Sequence, residues 1–84
     1  MPPDPSGLAL SALAWVLTNE KRARRFLDLT GLTPKQLRGG IETPALQLSV
    51  LEFLCAHEPD LLAAAEALGV DPAAIPAARE RLRR

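Results

Sequence analysis

The residues best suited to chemistry gather in one stretch. Cys55-Ala56-His57-Glu58-Pro59-Asp60 holds the only cysteine, the only histidine and two of the chain's ten carboxylates, Glu58 and Asp60. A thiolate, an imidazole and carboxylates form a donor set for zinc, and a thiolate beside an imidazole is an activated nucleophile. The spacing serves neither. A closed zinc site takes three or four well-placed ligands, and one His with one Cys would need carboxylates or a second chain to complete it. Cys55 and His57, two residues apart, point to different sides of a helix. Ser49 precedes His57 by eight residues, about 12 Å of helical rise, beyond hydrogen-bond reach. Cys55 therefore reads as a small buried hydrophobe, and His57 as a residue at a helix junction, where capping is ordinary. Gly39-Gly40 lacks the Lys-Ser/Thr and strand context of a phosphate-binding loop and reads as a flexible hinge. No catalytic residue, metal, cofactor or small-molecule substrate is expected, and the chain reads as a protein that is not an enzyme.

Charge carries more information. Ten Lys and Arg balance ten Asp and Glu, but they are segregated. Residues 1–40 hold six cations against three anions, net +3; residues 41–78 hold six anions and no Lys or Arg, net −6; residues 79–84 hold four Arg against Glu80, net +3. Two readings follow: a solvated basic face neutralised by neighbouring acids, or a docking surface. The second makes Lys21, Arg22, Arg24 and Arg25, with Arg79, Arg81 and Arg83, the candidate partner-binding residues. Their counterpart would be a helical or acidic protein, or a second copy pairing this face with the acidic half. Nucleic acid is the disfavoured alternative, because a duplex binder is normally strongly basic overall. Glu20–Leu29, a turn and Pro34–Arg38 superficially suggest a helix-turn-helix. The second helix, at about 7 Å, is too short to read a groove.

Those residues need a scaffold, and its size is bounded. Eighty-four residues, 9.0 kDa, fit one small helical domain over 1–84, which leaves little room for a deep cleft. A hydrophobic fraction of 48% is globular composition. One cysteine permits no internal disulfide. The longest unbroken apolar run, Ala12 to Leu17, is far short of the roughly 18 residues a membrane crossing needs, and Met1-Pro2-Pro3-Asp4-Pro5 has no basic, then apolar, export pattern. A cytoplasmic location with no membrane contact is expected.

Strand signals are nearly absent, so the elements are helices. Thr33-Pro34, Thr43-Pro44 and Asp71-Pro72 each pair an N-cap oxygen with a Pro start, and Thr33 to Gln36 fits a capping box. Gly31, Gly39 and Gly69 supply stops in the left-handed conformation. The marks predict Gly7–Thr18, Glu20–Thr30, Pro34–Arg38, Pro44–His57, Pro59–Leu68 and a stretch from Pro72 to about Leu82, after a flexible N-terminal segment over 1–6. Pro76 splits the last stretch into a short turn and a separate helix. Leu8, Ala12, Trp15 and Val16 form one apolar stripe, and Leu46, Val50, Phe53 and Leu54 another. On the second helix, Phe26, Leu27 and Leu29 are expected to pack inward. Trp15 and Phe26 are expected in the core, and Ala63, Ala64, Ala65 and Ala67 give a small-residue face for close helix packing.

Shifting the sequence by 38 positions superposes its halves without a gap. Leu8/Leu46, Leu10/Leu48, Ser11/Ser49, Leu13/Leu51, Glu20/Glu58, Gly31/Gly69 and Pro34/Pro72 are identical pairs. Matching punctuation at a fixed period points to repeated units, here about 7–40 and 45–84. The fold expected is all-α: a compact bundle of five or six short helices in which two pseudo-repeated helix–helix–short-helix units share one core, neither unit being stable alone.

The amphipathic opening Leu8–Leu17, then Arg25-Phe26-Leu27-Asp28-Leu29-Thr30-Gly31-Leu32-Thr33-Pro34-Lys35-Gln36-Leu37-Arg38, Val50-Leu51-Glu52-Phe53-Leu54 and Glu66-Ala67-Leu68-Gly69-Val70-Asp71-Pro72 carry a resemblance. Together they resemble a small bacterial family catalogued as domain of unknown function 3572, over nearly the whole chain. That resemblance implies a compact helical bundle without an assigned activity, and no catalytic residues. The functional expectation is a helical protein–protein interaction module.

Overall fold

Local capping chemistry sets out the elements. In the computed structural model, which describes residues 4–84, there are six helices: α1 Pro5–Leu17, α2 Glu20–Thr30, α3 Pro34–Gly40, α4 Pro44–Cys55, α5 Glu58–Leu68 and α6 Ala74–Arg83. Thr33 caps α3 in a reciprocal box with Gln36, and Thr43 accepts from the Leu46 amide at the start of α4. Gly31 and Gly69 end α2 and α5 at φ 73° and 69°, a region where any Cβ would be strained. Among the described residues no strand occurs, and no helix is long and apolar enough to cross a membrane.

Three details differ from the sequence expectations. Helix α1 starts two residues early: Asp4 caps it by accepting from the Gly7 amide, so residues 4–6 form a cap and first turn rather than a flexible segment. Residues 1–3 of that expected segment lie outside the described residues. Gly39 and Gly40 are helical, not a left-handed stop or a hinge. Asp71 does not cap α6; it closes a turn onto the Ala73 amide at 2.8 Å. The helix then begins at Ala74. Pro76 falls in its first turn, where a missing N–H costs no intrahelical bond.

Helix α4 is the hub, packing on α1, α5 and α6, while α6 also packs on α1. One contiguous apolar cluster draws on all six helices: Leu8, Ala12 and Val16 from α1, Phe26 from α2, Leu37 from α3, Val50, Leu51 and Leu54 from α4, Ala64 and Ala65 from α5, and Ile75 and Ala78 from α6. Alanines at Ala12, Ala64 and Ala65 are buried because a small side chain lets helix axes approach closely; Ala63 and Ala67 face solvent. Phe26 meets Phe53 edge to face, with ring centroids 5.2 Å apart, which ties α2 to α4. The buried Gln47 accepts from Ser6 Oγ and donates to the Ile41 carbonyl. Its polar ends thus join the start of α1 to the α3–α4 loop.

Positions matched across 38 residues have mixed fates. Leu8 and Leu46, Leu13 and Leu51, and Val16 and Leu54 are buried in both halves. Phe53 is buried, whereas Trp15 is half-buried. The third helices depart most: α6 packs on α1 and α4, while α3 makes no comparable contact among the described residues.

Candidate functional site

The charged residues of α2 point outward because Phe26 alone among its residues is fully sunk in the core. Asn19 starts the helix by accepting from the Arg22 amide at 3.0 Å, and the stop at Gly31 fixes its other end. Between these caps the candidate cations divide into engaged and free. Arg22 is half-buried. Its guanidinium lies 3.5 Å from the Trp15 ring centroid and donates to the Trp15 carbonyl at 2.6 Å and Thr18 Oγ1 at 3.0 Å. Desolvation by burial, then the nearby Arg25 charge, lower its pKa, though a guanidinium stays cationic throughout the physiological range.

Arg25 pairs with Asp60 of α5 and stands 5.1 Å from the Phe53 ring centroid. Asp60 also lies 3.0 Å from His57 Nδ1, so one carboxylate gathers a guanidinium and an imidazole. On α6, Arg83 bonds to Glu52 of α4 at 2.9 Å and to Glu80 at 3.0 Å, and Arg79 lies 3.4 Å from Glu80. Lys21, Arg24 and Arg81 are exposed and carry no ion pair among the described residues. The seven candidate residues therefore do not form one surface of equivalent charges.

A groove of about 550 Å³ runs between α2 and α4. Arg25 and Leu29 border it from α2, Ser49, Glu52 and Phe53 from α4, and His57 from the α4–α5 junction. Leu29 corrects the sequence expectation: it does not pack inward but is 72% exposed. Leu27, two residues earlier and so about 200° around the helix, is the partly buried one. The groove sets the apolar ring of Phe53 beside groups of both charge signs, Arg25 and Glu52. Sequence spacing missed it because the signal is split between Leu29 and Phe53, on helices distant in the chain.

The Cys55–Asp60 stretch spans the junction of two helices, with Cys55 ending α4 and Glu58 opening α5. Among the described residues, no group of three or more His, Cys, Asp or Glu side chains comes together. His57 occupies the N-cap position of α5 but makes no side-chain cap bond; its partner is Asp60. Cys55 is half-buried. Burial pushes its thiol pKa up, against the smaller opposing pull of Arg79 and Arg83, which leaves it a weak nucleophile near neutrality.

Residues 3–84 match the family described as "Protein of unknown function (DUF3572)". No curated protein matches the chain. No solved structure matches it either.

Proposed function

The chain belongs to this family of unknown function, and from its own surface we propose that it works as a non-catalytic helical interaction module. Its ligand is an acidic, leucine-bearing segment of protein laid along α2. The observation that carries this reading is Leu29, 72% exposed at the rim of the α2–α4 groove. Lys21, Arg25 and Leu29 recur every fourth residue and so form one ridge of α2. A ridge that is basic at one end and apolar at the other matches a partner with a carboxylate one turn from a leucine. The Arg25 guanidinium commits one terminal nitrogen to Asp60, and its fork geometry retains further donors for a partner carboxylate.

The pairing of Arg79 and Arg83 with carboxylates of the same chain weighs against the nucleic-acid alternative, since a phosphate backbone would have to compete with those carboxylates. The test is an NMR titration of the isotope-labelled chain. The probes are a synthetic helical peptide with glutamates one turn either side of a leucine, its lysine-for-glutamate counterpart, and a generic DNA duplex. The expected result is salt-sensitive shifts over Lys21–Leu29 and Phe53 with the acidic peptide alone. Shifts produced by the duplex and not by the peptide would transfer the assignment to nucleic acid.

A further inference from the structure

We infer that a second copy of this chain supplies the acidic segment: the exposed ridge of α5 formed by Glu58, Leu62 and Glu66 docks on the Lys21–Arg25–Leu29 ridge of α2. This rests on the interaction-module reading and names its partner. Leu62 is 47% exposed, one of the few large apolar side chains left open to solvent. Glu58 and Glu66 stand one turn before and one turn after it, both exposed and without an ion pair among the described residues. Helix α5 carries Glu58, Asp60 and Glu66 and no cation.

The two ridges complement each other in charge and in apolar register. Setting Leu29 of one copy on Leu62 of the other places an acid against Arg25 whichever way the helices run, because Leu62 has a glutamate one turn away on both sides. Ala63 and Ala67, exposed beside that ridge, keep the α5 surface low enough for close approach. Each copy carries both ridges, so a closed dimer makes the contact twice.

Sedimentation of the full chain over rising concentration, at low and high salt, tests the proposal. At low salt the mass is expected to climb above the 9.0 kDa of one chain, and added salt is expected to reduce it. Arg25→Glu, and the double variant Glu58→Lys with Glu66→Lys, should each weaken association several-fold. An equal mixture of the two variants should restore it, since every contact between unlike copies again joins opposite charges. Leu62→Ser should weaken it about tenfold. Unchanged thermal unfolding of the variants shows that the fold is intact. A mass fixed at one chain, or charge reversals that the mixture does not rescue, would overturn the second-copy assignment. Binding of the acidic peptide to such a monomer would leave the module reading standing, and loss of both results would remove both.

Discussion

The Arg22 guanidinium lies over the Trp15 ring, 3.5 Å from its centroid, and donates to the carbonyl oxygen of that same residue at 2.6 Å. One side chain thus covers the aromatic surface at the α1–α2 corner and adds a third donor to a carbonyl near the C-terminus of α1 that also accepts from the Thr18 amide and hydroxyl. A residue named as a candidate for meeting a partner is thus also part of the corner.

Arg22→Ala should cost about 1–2 kcal/mol through lost stacking and lost hydrogen bonds. Trp15 is the only tryptophan, so its fluorescence reports the corner directly. Emission should move to longer wavelength before global unfolding, and denaturant titration gives the stability. Arg22→Lys, which keeps the charge but not the planar fork, should recover only part of the loss. Full recovery by lysine would mean that charge alone holds the corner.

Two glycines should respond to alanine with opposite signs. Gly31 stands at φ 73° with open space where a Cβ would sit, so Gly31→Ala should cost about 1 kcal/mol from backbone strain alone. Gly39 is helical and also has open space, so Gly39→Ala should stabilise by up to about 1 kcal/mol. Thermal melts of the two variants check the pair. A destabilised Gly39→Ala would put the hinge back.

Cys55 predicts a pH dependence. Its folded-state pKa is raised by burial, so the unfolded chain releases the thiol proton first, from about pH 8.5 upward. Above that pH the unfolded state binds fewer protons than the native one, and stability falls as pH rises toward the folded pKa. The contribution is fully present below the unfolded value. Wild type should therefore lose stability between neutral and alkaline pH more steeply than Cys55→Ala, as denaturant midpoints across that range will show. Alkylation by iodoacetamide should also be slower in the folded chain than in the denatured one.

What the sequence by itself determined was the local punctuation. Thr33-Pro34, Thr43-Pro44, Gly31 and Gly69 set helix ends because a cap is decided within four or five residues, and α2 spans the stretch its spacing predicted. The apolar stripes of α1 and α4 were legible for the same reason. Tertiary structure decided the rest. Leu29 and Leu27 look alike in the sequence, and only the way α2 packs on α1 and α4 leaves one in solvent and the other partly buried. Likewise Arg25 meets Asp60 across 35 residues, and Arg83 meets Glu52 across 31. No local pattern carries such distances, so the division of the cations into paired and free, and with it the candidate surface, exists only once the helices are packed.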